Sequence, residues 1–330
     1  MNILITGSNG YVGSHLMYFL EENSCQVFGI DKSTFCNINP HPATIIGDIR
    51  NIDDLRQFSH KNIEIIIHCA ADKHDYGISA ESYFSNNEFG TKIIAQFASE
   101  NDINNILYYS TVSVYGHQPH PCDESAEFLS DTVYGDSKLA GEKVLWEWQK
   151  KAPQHSLITL RPSVIYGKHN FANMYNLINQ MHKFPWFMVG NGNHIKSMVA
   201  LENMVDMTWF ILDKFTPGIQ NFNCIDKPYL TVRQLMESIA ANPGFTLPKL
   251  IIPFNLAVAI GKIFDIFGKI IKRDLPINSD RMKKFGTATD YRAEKIRQLG
   301  YLQRYSINIV FQETCQWYLN NLSDKSNKHI

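Results

Sequence analysis

The sequence predicts an α/β fold, a doubly wound parallel sheet followed by a smaller C-terminal lobe. Three observations carry this. Short β-branched runs alternate with helical patterns over roughly the first 165 residues. The runs are apolar along their length, as strands covered on both faces must be. A glycine-rich turn, "TGSNGYVGSH", stands directly between the first such run and the first helical pattern.

The elements follow in order. "NILIT" is a strand, and "YVGSHLMYFLEE" has helical spacing before the second strand, "CQVFGID". "ATIIGD", the helical "NIDDLRQFSH" and the strand "IEIIIHCA" come next. A helix over "AESYFSNNEFGTKIIAQFASE" precedes "NILYYST", and a further helix, carrying Tyr134, leads to "HSLITLRP". After "RPSVIYG" the pattern turns irregular with Gly, Pro and Asn breaks, although "IQNFNCID" reads as one more strand, near 220–226, returning to the sheet. The expected division is therefore a dinucleotide-binding half, residues 1–165, and a substrate-binding lobe, residues 166–330, over the carboxyl edge of the sheet, where α/β folds bind ligands.

One stretch of the second half stands out. "LIIPFNLAVAIGKIFDIFGKII", residues 250–271, repeats Leu256, Ile260, Ile263, Phe264, Phe267 and Ile271 at helical spacing. Lys262, Asp265 and Lys269 interrupt it, so it predicts no membrane span. It reads as a core-facing helix; the competing readings are an interfacial helix or the wall of a greasy substrate pocket. The closing "SDKSNKHI" reads as a solvated tail.

Bulk properties exclude several classes. With 330 residues, 44% of them hydrophobic, the chain can bury a large core. Its net charge is −1 and its basic residues are scattered, which gives no electrostatic case for nucleic acid. Cys25, Cys36, Cys69, Cys122, Cys224 and Cys315 lie far apart without any C-x-x-C, and the first strand begins at once, leaving no room for a targeting segment. Both point to free thiols in a reducing cytoplasm. His117, His120 and Cys122 share a proline-containing loop without further nearby ligands, so no metal is expected.

The chemistry-bearing motifs begin with Gly7, Gly10 and Gly13, spaced G-x-x-G-x-x-G in the first βα turn. Glycines there let backbone N–H groups and a helix N-terminus approach a diphosphate. The second strand ends in Asp31, eighteen residues after Gly13. A carboxylate at that place accepts from ribose hydroxyls and repels a 2′-phosphate, which favours NAD over NADP, a preference softened by Lys32. Tyr134 and Lys138 stand four apart at a helix start and share a face; Tyr291 and Lys295 have the same spacing, so position in the fold must decide between the pairs.

These motifs, with "GDI" at 47–49, "HCAA" at 68–71, "NNEFGT" at 86–91, "STVSVYG" at 110–116 and "RPSVIYG" at 161–167, occur in one order. In that order the sequence resembles the extended short-chain dehydrogenases/reductases, in particular their NAD-dependent epimerase/dehydratase branch. The resemblance implies a Rossmann sheet with Gly7, Gly10, Tyr11, Val12 and Gly13 along the cofactor diphosphate and Asp31, with Lys32 beside it, at the adenosine ribose. It implies Asp48 and Ile49 at the adenine, and Ala70, Asn87 and Ser163 along the nicotinamide half. Thr111, Tyr134 and Lys138 take the catalytic positions, and Lys138 also grips the nicotinamide ribose. A homodimer through the helices around 80–100 and 134–150 is implied as well, with Phe84, Phe89, Ile93, Ile94, Trp146 and Trp148 offered as its surface or as core.

A phenol ionises near pH 10, and a neighbouring ammonium favours its phenolate, so a Tyr–Lys couple can take a proton from a substrate hydroxyl while hydride leaves the carbon. Where the family's 4,6-dehydratases carry Asp-Glu after the catalytic Ser/Thr, this chain has Val112 and Ser113, which disfavours dehydration. The expected activity is an NAD-dependent sugar epimerase acting on a nucleotide-linked hexose through a transient keto intermediate. The alternatives are a ketoreductase or dehydrogenase of a keto-sugar or apolar alcohol, and a dinucleotide-sensing protein without turnover. Val164, Lys196 and Ala200 replace an Asn, an Arg and a His that the family's nucleotide-sugar epimerases often have; with the apolar 250–271 segment this leaves room for a hydrophobic substrate, such as a polyprenyl-linked sugar or a sterol-like alcohol.

Overall fold

The apolar runs pair as parallel strands. The computed structural model describes residues 1–73, 79–119, 121–183, 187–271, 279, 282 and 286–327, with backbone alone for 266–271 and 323–327. In chain order the elements begin β1 (Asn2–Thr6), α1 (Tyr11–Glu22), β2 (Gln26–Asp31), β3 (Thr44–Ile46), α2 (Ile52–Arg56), β4 (Ile65–His68), α3 (Ala80–Phe84), α4 (Gly90–Glu100), β5 (Asn105–Tyr109) and α5 (Val133–Lys150). They continue β6 (Ser156–Pro162), β7 (Val164–Tyr166), α6 (Asn173–Lys183), β8 (Phe187–Val189), β9 (Met198–Ala200), α7 (Leu201–Ile211) and β10 (Gly218–Cys224). Last come α8 (Val232–Ala240), β11 (Leu250–Ile252), α9 (Phe254–Ile271) and the helices Glu294–Gln298 and Ile307–Asn327. A π-helical turn, Ser85–Phe89, joins α3 to α4, and a 3₁₀ turn, Val112–Tyr115, follows β5.

Among the described residues the main sheet has seven strands in the order β10-β6-β5-β4-β1-β2-β3, every neighbour parallel. Successive strands run outward from β1 through β2 to β3, and then from β4 through β5 to β6 the other way. The reversal falls between β1 and β4, the switch point at which such sheets open a crevice for ligands. Register places Thr6 opposite both Ile30 and His68, so the residues that follow β1, β2 and β4 emerge at the same edge.

Below that edge Leu4, Ile66, Ile106 and Leu157 pack with Ile94 and Phe97 of α4 and Leu145 and Trp148 of α5. Trp148 is buried and stacks on His155 at 4.0 Å. The chain divides into two compact units, one of Met1–Ile165, Met198–Ile225 and Tyr291–Arg304, the other of Tyr166–Ser197, Asp226–Asp290 and Tyr305–Ile330. The first unit thus regains the chain twice after residue 165.

One expectation is overturned in the second unit. Helix α9 forms, but Leu256, Ile263 and Phe264 of the predicted stripe do not face a core, and Ile260 is only half-buried. Ala257 is buried with Val189 and Met282, and Val258 packs beside them. Leu256 and Ile263 are 53% and 54% exposed and Phe264 is 37% exposed. Small residues, Ala257 and the buried Gly261, form the inward stripe, and the apolar stripe that periodicity detects lies beside it on the helix surface. The side chains of Phe267 and Ile271, and the tail from residue 328, lie outside the described residues, as does His120. No described helix is long and apolar enough to cross a membrane.

Candidate active site

The glycine turn is a backbone crossing. Gly7 has φ +70°, and a Cβ there would lie 2.7 Å from the Ala70 nitrogen, at the end of β4. A Cβ on Gly13 would lie 2.1 Å from the Gly7 carbonyl oxygen. The Gly7 N–H donates to the Ile30 carbonyl (2.8 Å) and the Gly10 N–H to the Gly7 carbonyl (3.0 Å). This folds the first turn of α1 directly over the strand ends. Gly10, the N-cap, brings no side-chain acceptor, so the positive pole formed by the Tyr11, Val12 and Gly13 amides suits an anionic group.

Asp31 ends β2 beside this turn. Its carboxylate accepts from the Asn9 N–H (3.0 Å) and the Ser33 N–H (2.8 Å), while the Asn9 amide donates to the Ser33 carbonyl (2.6 Å). Lys32 turns to Asp72 (2.9 Å) and Asn86 (3.4 Å). Asp48 is held by Arg50, whose Nη2 lies 2.5 Å from Oδ2. The Arg50 hydrogen bond keeps that carboxyl below the usual carboxylate range. Ile49 is buried against Gly90, where a Cβ would stand 2.6 Å from Ile49 Cδ1.

The end of β4 is tied by a buried chain. The Ala70 N–H donates to Thr6 Oγ1 (3.2 Å), Thr6 Oγ1 lies 2.7 Å from His68 Nδ1, and His68 Nε2 lies 3.0 Å from Thr91 Oγ1. Thr91 spends its proton on the Asn87 carbonyl (2.7 Å). That leaves Thr91 Oγ1 to accept from a protonated Nε2 and Nδ1 to accept from Thr6, a tautomer assigned by the network. Burial, with the Lys138 ammonium, holds His68 well below the ordinary histidine value, so it is neutral. Asn87 is fully buried: Oδ1 accepts from the Asp72 N–H (2.8 Å), and Nδ2 donates to the Asp72 carbonyl (3.0 Å) and Ser137 Oγ (2.9 Å). Ser137 in turn donates to the Tyr134 carbonyl (2.8 Å), so Asn87 fastens the π turn to the start of α5.

Thr111 caps the 3₁₀ turn. Its hydroxyl accepts from the Ser113 N–H (3.1 Å) and donates to Ser113 Oγ (3.2 Å). Thr132 caps α5 through the Gly135 N–H (3.1 Å), which sets Tyr134 in the first turn, half-buried, with its ring 6.2 Å from that of Tyr83. One turn on, Lys138 is 1% exposed. Its ammonium stands 4.1 Å over the Tyr108 ring and has no hydrogen-bond partner among the described residues. Burial brings its pKa down from 10.5 to about 7, against the opposing pull of Cys69 and Glu142. The Ser163 N–H donates to the Cys224 carbonyl (3.3 Å), while its buried hydroxyl is likewise unpartnered among the described residues.

Buried polar atoms are seldom left unpaired. Asn9 Oδ1, Lys138 Nζ and Ser163 Oγ are three such atoms, one following β1, one on α5 and one following β6. Together with the glycine crossing they fit a dinucleotide, whose ribose hydroxyls and carboxamide can satisfy them. Tyr291 and Lys295 are placed differently: Tyr291 is buried beside the Tyr115 ring (5.9 Å) and Lys295 lies over Phe222.

Sequence reasoning missed a second layer. Arg161, fully buried, donates to Glu142 through Nε (2.9 Å) and Nη2 (2.6 Å) and to the Tyr115 hydroxyl through Nη1 (2.8 Å). Ser110, the neighbour of Thr111, donates to the same Glu142 (2.5 Å). Glu142 stands four residues after Lys138, the one signal that sequence offered for it. Asp72, which gathers Lys32, Ser82 and Asn86, was also missed.

Comparison with known proteins agrees with this geometry. The family model described as the NAD dependent epimerase/dehydratase family matches residues 3–224. The N-acetyl-α-D-glucosaminyl-diphospho-ditrans,octacis-undecaprenol 4-epimerase of Escherichia coli O157:H7 is 31% identical over 318 residues, 96% of this chain and 95% of that protein. A UDP-glucose 4-epimerase of Neisseria meningitidis is 34% identical over 184 residues, 51% of this chain and 54% of its own length. In fold, the chain is similar to the UDP-glucuronic acid 4-epimerase of Bacillus cereus in complex with NAD, with a TM-score of 0.73 over 97% of this chain and 99% of that one at 21% identity. The chain belongs to the NAD dependent epimerase/dehydratase family and is an NAD-dependent enzyme of the extended short-chain dehydrogenase/reductase type.

Proposed function

We propose that the protein is a 4-epimerase of a hexose carried on a diphosphate, and that the carrier is a polyprenol rather than a nucleotide. The observation that carries this reading is the reach of the likeness. It runs end to end, at 31% identity, with the undecaprenol-linked 4-epimerase, against half the chain at 34% with the Neisseria UDP-glucose 4-epimerase and 80% at only 25% with that of Vibrio cholerae. Val164, Lys196 and Ala200, where nucleotide-sugar epimerases often carry Asn, Arg and His, support it.

In this reading Gly7, Gly10, Tyr11, Val12 and Gly13 hold the cofactor diphosphate and Asp31 the adenosine ribose, with Lys32 beside it. Asp48 and Ile49 border the adenine, and Ala70, Asn87 and Ser163 border the nicotinamide half. NAD, when bound, supplies the site that accepts a hydride and gives it back. Thr111 and Tyr134 hold the sugar C4 oxygen. Tyr134 takes its proton as C4 is oxidised and returns it after the keto sugar has turned its other face. The Lys138 ammonium, sited in low dielectric, favours the phenolate and binds the nicotinamide ribose. Glu142 and Arg161 are positioning residues, because through Ser110 and Tyr115 they fix the segment that presents Thr111.

We also propose a cytoplasmic homodimer. Six cysteines without a disulfide support the compartment. The face of α3, the π turn and α5 supports the dimer: Phe84 and Phe89 are exposed, and Phe84, Leu139 and Val144 line a groove there together with the charged Glu88, Asp136, Lys143 and Glu147. Ile94 and Trp148 belong to the core instead, and Ile93 and Trp146 pack against it.

The test is turnover at C4 on N-acetylglucosaminyl-diphospho-polyprenol, UDP-N-acetylglucosamine and UDP-glucose, with bound NAD assayed after denaturation. Inversion of the lipid-linked sugar with NAD retained is expected. Tyr134→Phe is expected to lower kcat by about 10²–10⁴-fold while NAD stays bound. Turnover of the UDP-sugars alone would transfer the assignment to a nucleotide carrier, and net consumption of NADH would make the enzyme a reductase.

A further inference from the structure

The outward stripe of α9 has no part in the chemistry above. Leu256, Ile263 and Phe264 present it, and Leu250 and Ile251 of the adjacent β11 are exposed as well. Lys249 and Lys262, both exposed, flank these apolar side chains. The surrounding sequence is strongly basic: residues 249–284 hold eight Lys/Arg against three Asp, although the whole chain carries −1. The remainder therefore has 23 basic residues against 29 acidic ones, and the scattering read from the whole sequence conceals one positive segment.

We propose that β11 and α9 form a membrane-docking face, which lies on an anionic bilayer with its apolar side chains among the headgroups. An amphipathic helix with an apolar stripe and flanking lysines has the chemistry of an interfacial helix, drawn to anionic lipid by charge and held by buried apolar area. Charge argues against a second copy as the occupant, since each copy would bring its exposed Lys249 and Lys262 to that interface. The purpose of the face rests on the polyprenol reading: a diphosphate on a polyprenol stays at the bilayer surface, and the enzyme must work there. Its existence does not depend on that reading.

The experiment is flotation of the full chain, without substrate, on phosphatidylglycerol-containing vesicles and on phosphatidylcholine vesicles. Binding to the first and little to the second is expected. The double variant Leu256→Glu/Ile263→Glu is expected to lower binding about tenfold or more. Lys249→Glu/Lys262→Glu is expected to lower it about 25-fold or more on the anionic vesicles, each lysine near the surface being worth about fivefold. Circular dichroism checks the fold of both variants, and turnover of a short-chain, water-soluble substrate is expected to be unchanged. Failure of the wild-type chain to float, or flotation unaffected by the double variant, would overturn the proposal. So would sedimentation showing that the double variant splits a dimer. A chain that floats but turns over only UDP-sugars keeps the docking face and loses the polyprenol reading.

Discussion

Two buried cations meet at α5, Lys138 on the helix itself and Arg161 of β6 through Glu142 one helical turn on, and the protein treats them in opposite ways. Arg161 is clamped by Glu142, bonded to Tyr115 and stacked 4.8 Å from the Phe128 ring. Burial alone would lower its pKa, but the Glu142 hydrogen bonds outweigh it and push the value up. Lys138 has the Tyr108 ring beneath it and no hydrogen-bond partner among the described residues. The first arrangement is complete and maintains shape. The second is incomplete and awaits a ligand, which is how a site stores binding capacity at the cost of stability.

Removing a partner from the complete arrangement should have the largest effect. Glu142→Ala leaves the Arg161 guanidinium buried without a counter-charge and should cost about 3–5 kcal/mol. The midpoint of urea unfolding reads this directly. Replacing both residues by apolar side chains, Glu142→Leu with Arg161→Met, should recover most of the loss. If the single variant costs under about 1 kcal/mol, Arg161 reaches water when freed, and the contrast with Lys138 collapses.

Removing the incomplete cation should act in the other direction. The Lys138 pKa is about 7 in the folded chain, below the 10.5 of a free lysine. Between those values the unfolded chain binds more protons, so the stability of the NAD-free protein rises with pH from about 7 towards 10.5, and the penalty is fully present below about 7. Lys138→Met should lack that rise and be more stable at pH 7 by on the order of 2 kcal/mol, while turnover is lost. Unfolding at a series of pH values, read as the difference between variant and wild type, separates this lysine from the exposed ones. Saturating NAD should flatten the wild-type slope as the ammonium gains a partner.

The same contrast explains what sequence could reveal. Gly7, Gly10 and Gly13 are legible because a βα crossing leaves no room for a Cβ, a constraint that for Gly10 and Gly13 acts within the turn itself, against the Gly7 carbonyl. The parallel strands are legible because burial on both faces makes them apolar throughout. The Arg161–Glu142 pair is not legible, since nothing local distinguishes a buried charge from a solvated one until packing brings β6 against α5. Helix α9 fails for a related reason. Periodicity finds an apolar stripe without saying which way it turns, and here Ala257 and Gly261 decide the question by fitting where Leu256 and Ile263 do not.

The smallest effect is expected at Lys32, where a cofactor contact and an ion pair compete for one side chain. Lys32 is half-exposed and pairs with Asp72 at 2.9 Å. Asp72 Oδ2 keeps the Ser82 hydroxyl and the Asn86 amide as donors when the lysine is gone, and loss of the half-exposed side chain opens the Asp72 and Asn86 Oδ1 atoms it served to water. Lys32→Ala should therefore cost under about 1 kcal/mol. If the ion pair is the whole of its role, the affinities for NAD and NADP should both stay within about threefold, because a half-exposed pair contributes no more than that. A selective loss of NADP binding, about tenfold beyond any change for NAD, would mean that the ammonium leaves Asp72 and reaches towards a 2′-phosphate. Lys32 would then count with the incomplete groups beside Lys138, and the cofactor preference would depend on it as well as on Asp31.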